Sequence, residues 1–167
     1  MTDSAEAVTR LKQACDRAYD KWQNSCSDAV WCIIKDLVSA GAQQIPANDS
    51  IDYWDENWQS VSLEEGFKLA NQGVVVVGGS QVLGGHGHVI AIYPGTKIAN
   101  GGYQYFYKPA KKYLTLPASG MYPRALSTSM SRAWPGSMSK GDKTVWDPWG
   151  KDEAFQKVEF WAPPASF

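Results

Sequence analysis

Residues Asn24–Val38 read NSCSDAVWCIIKDLV, and the start of this stretch decides both the fold and the chemistry. Val30, Ile33, Ile34, Leu37 and Val38 recur at helical spacing, with Gly41 and then Pro46 as stop signals. Ser25 and Asp28 stand three apart, as in a capping box with Asp replacing the usual Glu, which predicts a helix that begins at Ser25. Cys26 then lies in the first turn. Unpaired backbone N–H groups and the positive end of the helix dipole favour the anionic form of a thiol placed there. Cys26 is therefore the candidate nucleophile, since a thiol attacks carbonyls only as thiolate.

Upstream, Val8, Leu11, Cys15, Ala18 and Trp22 form one apolar stripe, predicting an amphipathic helix from Asp3 onward with Cys15 as a buried structural residue. Downstream, residues 47–61 (ANDSIDYWDENWQSV) are acidic and aromatic without clean periodicity and read as a surface loop. Ser62 and Glu65 form a second capping box, opening a short helix through Asn71 that Gly73 closes. Val74–Val77 reads as a buried strand, GGSQVLGGHG as a flexible connection, and HVIAIY from His88 as the next strand. Tyr103, Tyr105 and Tyr107 alternate as a strand that pairs with KKYLTL in a hairpin, a candidate lid. In the last third, LSTSMS and KVEFWA are the expected strands. No repeat or linker divides the chain, so residues 1–167 read as a single α+β domain.

Composition narrows the function classes. Sixteen Lys and Arg against seventeen Asp and Glu give a net charge of −1, which argues against a nucleic-acid partner held by counterion release. No apolar run is long enough to span a bilayer, so membrane insertion is not expected. The N-terminus MTDSAEAVTRLKQ lacks the basic start and apolar core of a secretory signal. Three cysteines leave at least one free thiol in a monomer.

A catalytic thiol needs a base, and the only imidazoles are His86 and His88. His88 opens an apolar strand, whereas His86 lies between glycines, so rigid orientation favours His88. A zinc site using both histidines is the rival reading, because alternate strand residues share a face, but no third ligand is evident.

With these residues in view, the chain resembles the papain-like NlpC cysteine peptidases and, more closely, the type VI secretion amidase effectors that bacteria inject into rivals. The Asn-x-Cys-Ser block at Asn24, LANQGVVVVGG followed by GHGHVIAIYPG, and YPRALSTS at Tyr122 carry the resemblance, across roughly Val8 to Ser129. It implies N-terminal helices packed on a central antiparallel β-sheet, Cys26 as nucleophile and His88 as base. The family often holds the imidazole with a third polar residue on the following strand. This chain has no third histidine, and Ser127, Asn100 or a backbone carbonyl remain open for that role.

The resemblance further implies hydrolysis of an amide in the peptide stem of peptidoglycan, at the bond joining D-glutamate to the diamino acid, with no metal or organic cofactor. It implies synthesis in the cytoplasm without a signal peptide, delivery by the type VI secretion apparatus, action in the target's periplasm, and a cognate immunity protein that plugs the cleft. In that oxidising compartment, Cys15 and Cys32 on adjacent helices are expected to pair as a disulfide. The alternatives are a phage or housekeeping CHAP or NlpC wall hydrolase and a non-catalytic wall-binding module. Of the eight tryptophans, Trp134, Trp146, Trp149 and Trp161 read as core or rim packing rather than sugar platforms.

Overall fold

The computed structural model describes residues 4–131 and 133–164. Helix α1 (Ser4–Lys21) buries Leu11, Cys15 and Ala18 of the stripe read from the sequence, together with Ala14, while Val8 and Trp22 at its ends are half-buried. The expected start at Asp3 lies outside the described residues. Helix α2 (Cys26–Leu37) has Ser25 as its N-cap, and the Ser25 hydroxyl accepts the Asp28 N–H at 3.2 Å. The reciprocal half of the box differs: the Asp28 carboxylate accepts from the Ser25 hydroxyl at 2.6 Å. The shorter Asp side chain thus closes on the cap's own side chain.

Residues 47–57, expected as loop, form helix α3 (Ala47–Asn57), followed by strand β1 (Gln59–Val61). Ala47, Ile51 and Trp54 are buried at helical spacing and Trp58 continues that face, while Asp49, Asp52, Asp55 and Glu56 are exposed. The stripe is real but narrow, and the interspersed carboxylates hide it from a hydropathy reading. Trp54 lies within ring contact of Trp31 at 5.8 Å, Trp58 at 6.0 Å and Trp161 at 6.0 Å, tying α2, α3 and the last strand together. Helix α4 (Leu63–Ala70) carries the full capping box, with Ser62 and Glu65 exchanging backbone hydrogen bonds at 3.1 and 3.2 Å.

The remaining strands are β2 (Val77–Ser80), β3 (His88–Ala99), β4 (Gln104–Tyr107), β5 (Lys112–Thr115), β6 (Met121–Ser127), β7 (Ser139–Thr144) and β8 (Glu159–Ala162), with a short helix α5 (Asp152–Phe155) before the last. Five of them join β1 in one six-stranded sheet in the order β1-β8-β2-β3-β6-β7, with every pair antiparallel, and β4 and β5 form a separate two-stranded sheet. The described chain is thus a mixed α+β fold with an antiparallel sheet.

Strand β2 is displaced from the expected valine run into Gly78 and Gly79. A Cβ at Gly78 would lie 2.6 Å from the Phe160 ring, and one at Gly79 would lie 2.7 Å from the His88 carbonyl. Neighbouring side chains and backbone occupy the space a side chain would need, so glycine, despite its poor strand propensity, is required. Strand β7 was not anticipated, because SKGDKT has no apolar alternation. Val89 to Ile92 on β3 are all buried. The Tyr93 hydroxyl donates to Asp16 of α1 at 3.0 Å, while Ile92 meets Gly66 of α4. Successive strand residues face opposite sides, so helices cover both faces and the strand is continuously apolar.

Trp54, fully enclosed at the meeting of three elements, sets a test of this packing. Trp54→Ala is expected to cost about 3–5 kcal/mol in urea unfolding. A cost near zero would contradict the packing of α3 on the core.

Candidate active site

Strands β3 and β6 pair Ala91 with Leu126, which brings the start of β3 and the end of β6 to one edge. His88 Nε2 lies 2.9 Å from the Ser127 hydroxyl there. Ser127 is fully buried, and its Oγ–H donates to the Ser137 carbonyl at 2.7 Å. A hydroxyl has one hydrogen. With that hydrogen committed to Ser137, the Ser127 oxygen can only accept, so His88 carries its proton on Nε2 and presents Nδ1 as a lone pair. The ring is also packed edge-on against Trp149, with centroids 5.4 Å apart.

Cys26 reaches the same edge. The Val89 backbone N–H, next in chain to His88, and those of Cys26 and Ser27 are near enough to the sulfur to favour its anion. One residue back, the Ser25 carbonyl accepts from the Thr128 hydroxyl at 3.1 Å, so the helix start is stitched to the residue after Ser127. Cys26 and His88 are both half-buried rather than sealed. They lie outside the roughly 400 Å³ pocket bounded by Trp31, Val38, Ala42, Tyr53 and Trp58 on another part of the surface.

The electrostatics hold this pair neutral at rest. Burial raises the Cys26 thiol pKa, the Asp28 charge adds to the rise, and the backbone N–H groups partly oppose it. Protein packed around the imidazole lowers His88 to about 4, because desolvation penalises the cation.

The other expectations fare variously. Asn100, the second candidate for orienting the imidazole, sits at the far end of β3 from His88. It is consumed there: its amide donates to Ser119 at 2.9 Å and its carbonyl accepts from the Ser119 and Gly120 N–H groups. Cys15 and Cys32 are free thiols rather than a disulfide. Cys15 is completely enclosed by the core, whereas Cys32 lines a surface groove beside Arg17 and Asp36, so the two face different ways. His86 is exposed, and among the described residues no three His, Cys, Asp or Glu side chains converge as a metal-ligand set.

The connection before His88, read as flexible, is pinned by a residue the sequence reading did not single out. Asn48, in the first turn of α3, donates to the carbonyls of Val82 and Gly85 at 3.0 and 3.1 Å and accepts the Val82 N–H at 3.1 Å. Gln81 adds bonds to the Asn48 carbonyl and Asp52, both at 2.8 Å. A side chain at Gly87 would collide with Asn48, so the loop closes onto α3 only with glycine there. Trp149 and Ser137 are likewise neighbours of the site without a sequence signal, since Trp149 reaches His88 from far along the chain and Ser137 offers only its backbone carbonyl.

No protein-family model matches the chain, and no curated protein matches it.

Two measurements follow. Because the folded imidazole refuses a proton that the unfolded chain accepts, stability is lost as pH falls from about 6.5 toward 4. Thermal melting of His88→Gln is expected to flatten relative to wild type across that window, and parallel curves would contradict the burial. Nitrogen NMR of imidazole-labelled protein at neutral pH should find His88 as the Nε2–H tautomer, and Ser127→Ala should release it to a mixture. An unchanged tautomer in Ser127→Ala would remove the orienting role.

Proposed function

We propose that the protein is a cysteine amidase of the papain-like, NlpC type that cleaves peptide stems of peptidoglycan, with Cys26 as nucleophile, His88 as base and Ser127 as the residue that positions His88. The observation that carries this reading is the arrangement at one sheet edge. A thiol at a helix N-terminus lies beside the backbone of Val89, and the residue before Val89 is an imidazole whose tautomer is fixed by a buried hydroxyl on the next strand. A nucleophile helix against an antiparallel sheet, with base and orienting residue on adjacent strands, also supports the NlpC-type assignment of the fold.

In this mechanism the neutral dyad transfers its proton during attack. His88 Nδ1 takes the thiol proton as the Cys26 sulfur bonds to the amide carbon, and the carbonyl oxygen gains the displaced electron pair. A backbone N–H at the helix start stabilises that oxyanion. The imidazolium then protonates the leaving amine as the C–N bond breaks, leaving a thioester. Water, deprotonated by the same imidazole, attacks the thioester, frees the carboxylate and returns the proton to sulfur. The Ser127 oxygen, an acceptor throughout, steadies the imidazolium without a full negative charge, in keeping with a base poised low.

We assign the scissile bond to the one between D-glutamate and the diamino acid, and delivery to a type VI secretion apparatus, with an immunity protein covering the site in the producer. These assignments rest on the sequence resemblance carried by Asn24–Val38 and the Gly-His-Val strand.

Digestion of purified sacculi tests the reading. Wild type is expected to release new amino termini, Cys26→Ala none, and His88→Ala to be slowed by about 10²- to 10⁴-fold. Ser127→Ala should be slowed about tenfold, the worth of one neutral hydrogen bond, with partial recovery in Ser127→Asn. Equal, negligible release by wild type and Cys26→Ala would favour a non-catalytic wall-binding module.

A further inference from the structure

Charge is unevenly distributed along this nearly neutral chain. Between Glu65 and Asp142 there is no Asp or Glu. Several cations of that stretch serve the fold: Lys97 pairs with Glu64 at 2.7 Å, Lys140 with Asp20 at 3.1 Å, and Arg124 donates to the Thr96 and Gly141 carbonyls. Lys68 on α4 acts on Glu64 by its charge, and Lys108, Lys111 and Lys112 are left over. They sit exposed at the tip of the β4–β5 hairpin, and no carboxylate among the described residues pairs with them.

The same hairpin displays aromatic rings. Its register sets Tyr105 opposite Leu114 and Phe106 opposite Tyr113, so these pairs occupy opposite faces. Tyr105 packs edgewise on Trp134 at 5.3 Å, which fixes the inner face. Phe106 and Tyr113 touch each other at 5.2 Å on the outer face and are 47% and 67% exposed, and Tyr107, on the face of Tyr105 but nearer the tip, is 42% exposed. Three uncovered rings beside three uncovered lysines, on a two-stranded sheet outside the main one, leave a patch whose apolar part water does not satisfy.

We propose that the hairpin tip docks peripherally on a bilayer surface that carries anionic phospholipid, its rings entering the headgroup boundary and its lysines meeting the phosphates. The dimensions agree: four-residue strands span about 14 Å, and interfacial elements sink roughly 5–10 Å. The local positive charge comes from three lysines within five residues, on a chain whose net charge is −1. Tyr103, which leads into the hairpin, packs on Trp134 and donates to Asp147 at 2.9 Å, so the docked tip is braced against the domain that carries Cys26 and His88. The inference does not depend on the amidase chemistry.

Co-sedimentation of the full chain with vesicles tests it. Binding is expected to phosphatidylcholine vesicles containing phosphatidylglycerol, not to phosphatidylcholine alone, and to weaken steeply with salt. The triple variant Lys108→Gln, Lys111→Asn, Lys112→Gln should lose about 100-fold, the sum of about 1 kcal/mol per lysine. Asn is chosen because Lys111 has φ of 50°, a left-handed conformation that Asn tolerates. Phe106→Ser with Tyr113→Ser should remove the binding that survives high salt, and Cys26→Ala should bind as wild type. Equal partition onto neutral and anionic vesicles, binding indifferent to both salt and the lysine changes, or tighter capture by single-stranded DNA than by anionic vesicles would overturn the proposal. The salt series on wild type decides the matter even where a variant fails to fold.

Discussion

A single hydroxyl proton governs the site. The Ser127 Oγ–H is given to the Ser137 carbonyl, so its oxygen must receive the His88 Nε2–H, and the second imidazole nitrogen is left as a lone pair. The constraint holds because Ser127 is fully buried between β3 and β7, where its hydroxyl meets the imidazole on one side and the Ser137 carbonyl on the other. Its chain neighbour Thr128 binds the Ser25 carbonyl, which anchors the first turn of α2 and with it Cys26. Two adjacent residues at the end of β6 therefore position both the imidazole and the thiol.

The price of enclosing this pair is that neither member is charged at rest. Desolvation lowers the imidazolium and raises the thiol, while the Val89, Ser27 and Cys26 N–H groups pull the other way at sulfur. The proposed mechanism accordingly moves a proton as the bond forms, and a neutral thiol is less open to adventitious oxidation than a standing thiolate. Asp28 contributes twice with opposite sense: it locks the cap through Ser25, yet its charge opposes ionisation of Cys26.

What the sequence disclosed followed the range of the interactions. The cap at Ser25, the box at Ser62 and Glu65, and the stripe of α1 are local patterns, and they stand in the fold where the residues put them. Helix α3 was illegible because its buried stripe of Ala47, Ile51, Trp54 and Trp58 is separated by carboxylates, and tertiary burial of the tryptophans outweighs the composition. Strand β2 ran through glycines because Phe160 and β3 press against them, which no local propensity reports. At the site, Cys26, His88 and Ser127 were identifiable by type and order. Asn48, Ser137 and Trp149 were not: Asn48 braces the loop before His88 from a distant helix, Ser137 contributes a backbone carbonyl that any residue carries, and Trp149 reaches His88 from far along the chain. Asn100 was a plausible partner by type alone, and its three bonds to residues 119 and 120 explain its burial without any catalytic part.

The account stands on the sulfur of residue 26 and the imidazole of residue 88 sharing one small space. Reaction with 1,3-dibromoacetone probes this directly, because the thiol displaces one bromide and a nitrogen within a three-carbon reach displaces the other. Peptide mass spectrometry of the treated native protein should recover a bridged pair containing Cys26 and His88. Bridging of Cys26 to a different residue, or its modification without any bridge to His88, would contradict the site.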